Sequence, residues 1–185
     1  MTAEFDAIIV GGGPAGASAA VHLAAAGARV LLAERERFPR AKLCGEFISP
    51  ECLGHFARLG VLEEMSRGGG ARVSETVFYA PSGRGVSVPS AWLGGQDGDA
   101  LGLSRAEMDA RLLARAREVG VRVMEEASLA SLVVGGGRVC GVRLHAEGGG
   151  LQEFRARVTL DATGRHRAVV RRAEREMGRG GGRKA

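Results

Sequence analysis

An α/β fold, with a parallel sheet extended by a β-meander, is what this sequence predicts, and three observations carry the prediction. The first 34 residues read as apolar strand, glycine-rich turn, helix, second strand and terminal acid. Residues 104–120 hold a helix-start signal and an apolar stripe at fourfold spacing. Residues 129–160 hold alternating apolar segments around a triple-glycine turn. Strand–helix–strand order places neighbouring strands parallel, whereas segments joined by tight turns run antiparallel.

The first strand is Ala7-Ile8-Ile9-Val10, followed by Gly11-Gly12-Gly13-Pro14-Ala15-Gly16, which satisfies G-x-G-x-x-G. In the Rossmann-like βαβ unit each glycine has a task. Gly11 allows the tight turn, Gly13 lets the backbone approach a pyrophosphate, and Gly16 lets the helix pack closely on the strand. A diphosphate then sits on free N–H groups at the positive end of the helix dipole. Pro14 suits the first helical turn, where it sacrifices no hydrogen bond. The helix runs to about Gly27, and Val30-Leu31-Leu32-Ala33 leads to Glu34, 18 residues after Gly16. An acid about 20 residues on binds ribose hydroxyls. The chain has 30 glycines, so a lone motif means little. Gly68-Gly69-Gly70, Gly135-Gly136-Gly137 and Gly148-Gly149-Gly150 lack this context and read as plain turns.

After a polar loop from Arg35 to Glu46, Ser49-Pro50 marks the start of a helix with Leu53, Phe56 and Ala57 at helical spacing, ended by Gly60. Val61–Met65 adds a short turn. Val73–Val88 reads as a hairpin around Pro81-Ser82-Gly83, and residues 89–102 read as irregular. Ser104 with Glu107 forms a capping box. Met108, Leu112 and Ala116 are the buried stripe of that helix, Gly120 closes it, and Val121–Met124 is a short strand. Leu129–Val134 and Val139–Leu144 flank a glycine turn. Phe154, Ala156, Val158 and Leu160 then alternate with polar residues up to Asp161-Ala162-Thr163-Gly164-Arg165.

The net charge is +5, yet residues 171–185 hold six basic and two acidic residues, so the remaining chain is nearly neutral. A basic, glycine-rich, aromatic-free tail reads as disordered. Weak contact of this tail with nucleic acid or anionic lipid is the minor alternative, and no nucleic-acid partner is expected for the protein as a whole. No apolar stretch reaches the roughly 20 residues of a membrane span. Cys44, Cys52 and Cys140 are odd in number and form no C-x-x-C pair, which argues against a disulfide framework or structural zinc. No histidine is spaced as a metal ligand. A cytoplasmic location is expected.

Four motifs in order extend the reading: I-I-V-G-G-G-P-A-G with Glu34, F-P-R-A-K-L-C-G-E, L-S-R-A-E-M-D-A-R-L, and V-T-L-D-A-T-G-R. Together they resemble the N-terminal part of FAD-dependent oxidoreductases of the glutathione-reductase-like superfamily. The groups most similar are the geranylgeranyl reductases and the aromatic-hydroxylase-type flavin monooxygenases. The first motif alone suits NAD as well as FAD; the full set favours FAD. The resemblance implies an FAD-binding domain over residues 1–170, with a partial β-containing substrate-domain insertion over about 66–102. It implies that Gly11, Gly12, Gly13, Pro14, Ala15 and Gly16 hold the pyrophosphate, that Glu34 binds the ribose, and that Arg35 covers the adenine. Glu34 disfavours a 2′-phosphate there. Arg105 would reach phosphate or ribityl oxygens, with a surface arginine as the plain alternative. Asp161 and Gly164 would mark the chain crossing near the dinucleotide, or simply a capped strand end. Arg40, Lys42 and Cys44 match the reductase-like loop beside the flavin; Cys44 reads equally well as a small packed residue.

The resemblance also implies NAD(P)H as electron donor and a small-molecule, apolar or aromatic substrate. Reduced flavin would deliver hydride to an alkene or activate O2 for hydroxylation, and the P-R-A-K-L-C-G loop tilts toward reduction. Such families carry a further Gly-Asp motif beyond this point, so the adenosine end of the FAD site is expected nearly complete and the isoalloxazine end incomplete. The other readings are an NAD-binding dehydrogenase and a catalytically silent nucleotide-binding fragment.

Overall fold

The computed structural model describes residues 3–44, 46–67, 69–94, 98–146 and 148–178. The chain forms two compact units, Met1–Phe38 with Leu112–Ala185, and Pro39–Arg111.

The first unit is built on a six-stranded sheet. Its strands are β1 (Phe5–Val10), β2 (Val30–Ala33), β8 (Arg122–Met124), β9 (Ser128–Gly135), β10 (Arg138–His145) and β11 (Leu151–Asp161). Their order is β8-β2-β1-β11-β10-β9. β8, β2, β1 and β11 run parallel, while β10 and β9 continue antiparallel as the meander. α1 (Pro14–Ala25) is the crossover helix between β1 and β2, as a parallel pair requires. Every residue of β2 is buried, and so are Ile8 and Ile9 of β1. This continuous apolar burial is what a parallel strand covered on both faces needs. The core joins Phe5, Ile8 and Val10 to Leu31, Ala33, Leu132, Val142, Leu144 and Phe154.

The end of the chain departs from expectation. Residues 171–178, expected as part of a disordered tail, belong to helix α5 (Ala168–Gly178). Basic composition lost to packing: Val169 joins the core, Ala173 packs against it, and the Arg172 guanidinium donates to the Leu129 carbonyl at 3.1 Å. Residues 179–185 of that expectation lie outside the described residues.

The second unit holds a three-stranded antiparallel sheet, β3-β7-β4, from β3 (Phe47–Ile48), β4 (Ala71–Val73) and β7 (Ala100–Gly102). α2 (Pro50–Leu59) ends at Gly60, whose φ of +74° is the left-handed helix stop that glycine adopts without strain. α3 (Leu62–Arg67) follows. The hairpin is β5 (Glu75–Tyr79) with β6 (Gly85–Pro89). α4 (Arg105–Glu118) begins in this unit and carries the expected box, with the Glu107 amide donating to Ser104 Oγ at 3.2 Å. The segment read as irregular contains β7, which pairs on both sides, Leu101 with Ile48 and with Arg72. Three residues between distant partners leave no local periodicity to read.

Candidate functional site: a glycine cradle at the end of the parallel sheet

In the first unit the glycine motif sits where β1 gives way to α1. Gly11 has φ +111°, a conformation closed to most side chains. A Cβ there would lie 2.6 Å from the carbonyl carbon of Ala162 and 3.0 Å from the Thr163 nitrogen. A Cβ on Gly16 would overlap the Gly11 carbonyl oxygen and come within 3.1 Å of Ala162 Cβ. The Ala162 amide, in turn, donates to the Val10 carbonyl at 2.8 Å. The two glycines are therefore needed for more than the turn: they admit the D-A-T-G segment into direct backbone contact with it.

Gly13 is the N-cap of α1 and Pro14 its first residue. The first helical bond is Ala17 N–H to the Gly13 carbonyl at 2.9 Å, and no side chain caps this end. The amides of Gly13, Ala15 and Gly16 thus precede the helical ladder without a side-chain acceptor, at the positive end of the dipole. This arrangement can take an anion, and its chemistry fits a pyrophosphate.

Glu34, directly after β2, is buried, at 6% exposure. Its Oε2 accepts the Gly12 amide at 2.7 Å and its Oε1 the Glu36 amide at 3.0 Å. The acid therefore braces the turn directly. A carboxylate has about four acceptor positions, so two remain for hydroxyl donors. Arg35 next to it is exposed and pairs with Glu36 at 3.2 Å.

Asp161, at the end of β11, has a different set of partners. Its Oδ1 accepts the Thr163 amide at 3.0 Å and the Thr163 hydroxyl at 2.6 Å. Its Oδ2 accepts the amides of Val169 and Val170, both at 3.0 Å. Thr163 Oγ1 also accepts the Ala168 amide at 2.8 Å. Burial alone would raise the Asp161 pKa; the hydrogen bonds from Thr163, Val170 and Val169 outweigh it and hold the carboxyl below its ordinary value. Gly164 follows with φ +68° at the start of a short 3₁₀ turn.

In the second unit Arg105, Arg40, Cys44 and Asp109 are gathered. Arg105 Nε and Nη2 donate to Asp109 Oδ1 and Oδ2, each at 2.9 Å, and Arg40 Nη2 lies 3.4 Å from Oδ2. Asp109 is fully buried. Hydrogen bonding to Asp109 raises the Arg105 pKa against the opposing effect of burial, with a smaller contribution from Cys44. Cys44 is exposed, and Gly45 of its motif lies outside the described residues. Asp109 is the residue that motif reading passed over. Its signal was present, an acid four residues after Arg105 on one helix face. Among the described residues no group of three His, Cys, Asp or Glu could hold a metal, and no helix is long and apolar enough to cross a membrane.

A parallel sheet whose first crossover helix starts on such a turn defines a dinucleotide-binding protein. The family model for the FAD binding domain matches residues 4–183, and the chain belongs to that family. It is 35% identical over 171 residues to digeranylgeranylglycerophospholipid reductase 2 of Methanopyrus kandleri, covering 92% of this chain and 40% of that protein. It is 32% identical over 128 residues to menaquinone reductase of Mycolicibacterium smegmatis, covering 67% and 29%. Among solved structures it resembles the myxobacterial chondrochloren halogenase CndH, an FAD-dependent halogenase, with TM-score 0.77 and 33% identity over 85% of this chain and 37% of that one. The chain thus spans about two-fifths or less of the relatives it matches.

Proposed function

We propose that this chain is the adenosine-binding portion of an FAD-dependent oxidoreductase acting on a small apolar or aromatic molecule, with NAD(P)H as electron donor and the cytoplasm as its compartment. The observation that carries the reading is the cradle of Gly11, Gly16 and Ala162, with uncapped amides above it and Glu34 bracing Gly12 from β2. The amides of Gly13, Ala15 and Gly16 bind the pyrophosphate, and the backbone around Gly12 and Pro14 shapes its seat. The free acceptor positions of Glu34 take the adenosine ribose hydroxyls, and its charge rejects a 2′-phosphate. Arg35, exposed beside Glu34, covers the adenine.

FAD, when bound, supplies the hydride chemistry, and the protein supplies binding and orientation. Arg105 is held by Asp109 with its Nε and Nη2 engaged, so its remaining donors are the ones it offers to cofactor oxygens. Cys44 stands in the same cluster as a candidate flavin-side residue. Reduction of an alkene or quinone is favoured by the 35% identity to the reductase of Methanopyrus kandleri over 92% of this chain and the 32% identity to that of Mycolicibacterium smegmatis over 67%. Oxygen-dependent hydroxylation or halogenation is the second reading, favoured by the likeness to the chondrochloren halogenase.

Titration of the purified chain with FAD, NAD and NADP, followed by flavin fluorescence quenching and calorimetry, tests the proposal. Saturable FAD binding at least tenfold tighter than either nicotinamide dinucleotide is expected. Tighter NAD binding would establish the dehydrogenase alternative, and no uptake of any nucleotide would establish the silent fragment.

A further inference from the structure

The acid of the D-A-T-G segment carries more hydrogen bonds than a cofactor ligand can spare. A carboxylate has about four acceptor positions. In Asp161 all four are taken, by the Thr163 amide and hydroxyl and by the Val169 and Val170 amides. The last two are first-turn amides of α5, which would otherwise have no acceptor. Thr163 Oγ1 closes the arrangement by accepting the Ala168 amide. Between Asp161 and Thr163 lies Ala162, whose backbone touches Gly11 and whose methyl group faces Gly16.

We propose that Asp161 is a positioning residue that governs dinucleotide affinity without touching the dinucleotide: with Thr163 it latches the start of α5 to the end of β11 and so holds the Ala162 backbone against the glycine turn. The inference rests on the reading of that turn as the FAD pyrophosphate seat. Ala162 cannot shift toward Gly11, because the two backbones are already in contact. It is kept from shifting away by the residues on either side of it, which are tied to each other and to α5. α5 is itself anchored through Val169 in the core and Arg172 on the Leu129 carbonyl. The latch thus connects α5 to the wall of the cradle. An ionised carboxylate at the α5 N-terminus also meets the positive end of that helix.

Hydrogen exchange of the Ala168, Val169 and Val170 amides, measured without ligand, together with the FAD dissociation constant, separates the alternatives. The variants are Asp161→Ala, Asp161→Asn, Thr163→Val and Thr163→Ser. Asp161→Ala is expected to speed exchange of the Val169 and Val170 amides at least tenfold and to weaken FAD binding at least tenfold. Asp161→Asn, with one acceptor oxygen, falls between. Thr163→Val frees the Ala168 amide and weakens binding severalfold, while Thr163→Ser, which keeps the hydroxyl, restores both readouts. If Asp161→Ala does not fold, the two Thr163 variants alone decide the matter. Weakened FAD binding with unchanged amide exchange would show Asp161 to be a direct ligand and overturn the proposal. Lost amide protection with unchanged FAD affinity would overturn it equally, leaving only a helix cap. Wild-type chain that takes up no FAD defeats the site reading itself, a result seen before any variant is made.

Discussion

The two units solve the problem of a tightly packed centre in opposite ways. Around Gly11 and Gly16 the first unit uses backbone and the absence of side chains. Carbonyls and amides of the glycine turn and of Ala162 meet directly, and the Glu34 carboxylate accepts two amides. The second unit uses charged side chains, with Asp109 fully buried between Arg105 and Arg40. The steric centre tolerates no added atom, whereas the ionic centre tolerates no deleted one. The contrast extends outward. The parallel strands β1 and β2 of the first unit are mostly apolar and buried. The β5–β6 hairpin of the second leaves Phe78, Tyr79 and Val86 exposed, and a lone two-stranded hairpin is marginally stable in water.

Deleting the buried carboxylate is the strongest test of this contrast. Asp109→Ala leaves the Arg105 and Arg40 guanidiniums facing each other with little water. Breaking a buried ion pair by removing one partner costs about 3–5 kcal/mol. Thermal and urea unfolding should record a loss of that order, with Asp109→Asn milder because the shape is kept. A loss under about 1 kcal/mol would mean that the arginines relax into solvent and that the cluster is not a structural centre.

Adding one atom to the steric centre should cost less but do more to binding. Gly16→Ala sets a methyl group on the Gly11 carbonyl, and forcing such an overlap costs about 1–3 kcal/mol. The accompanying shift of Gly11 should abolish measurable FAD uptake. Gly27→Ala makes the control: Gly27 has φ +85° but open space around it, so it should lose some stability and keep its FAD affinity. Equal FAD binding by Gly16→Ala and wild type would refute the cradle.

Glu34→Gln probes the carboxylate that braces the glycine turn, at smaller amplitude. The amide oxygen can accept one of the two backbone donors, and the NH2 group faces the other. The loss should be about 1–2 kcal/mol, the cost of leaving a buried donor unsatisfied. The ratio of NADP to FAD affinity should rise, because the charge that repels a 2′-phosphate is gone. An unchanged ratio would show that Glu34 serves the turn and not the ribose.

Legibility from the sequence follows the range of the forces involved. β1, α1 and β2, helices α2 and α4 and the meander were readable because local periodicity, glycine stops and the Ser104–Glu107 capping box act within a few residues. β3 and β7 were not, since their pairing is set by partners more than 50 residues apart. Helix α5 was hidden for a different reason: its composition is that of a solvated tail, and what orders it is a cap supplied by Asp161 and a core contact through Val169. At the site, spacing alone located Gly11, Gly16 and Glu34. It could not reveal that Gly11 meets Ala162, that Glu34 holds Gly12, or that Asp161 has all its acceptor positions engaged. Asp109 was visible only as one member of an i,i+4 pair, a pattern that is ordinarily a weak surface interaction.

The smallest effect comes from a charge pair of the first unit that lies at its surface. Asp6 accepts from the Arg29 side chain at 3.1 and 3.2 Å and from the Arg29 amide at 2.9 Å. The side-chain hydrogen bond to Arg29, then its backbone amide, lower the Asp6 pKa from 3.8 to about 2. The folded form therefore binds the proton less readily than the unfolded chain. The stabilisation is present above the unfolded value of 3.8 and is lost as the pH falls toward about 2. Asp161 and Glu153 are also held below their ordinary values, so the total acid dependence belongs to several groups and Asp6 must be isolated by difference. Comparing Asp6→Asn with wild type, the melting temperatures should differ above about pH 4 and converge between about pH 4 and 2, with the gap shrinking in high salt because both partners are accessible to solvent. A gap that persists unchanged at about pH 2 would show that the asparagine side chain perturbs the start of β1 by shape and that the Asp6–Arg29 pair contributes no charge-dependent stability.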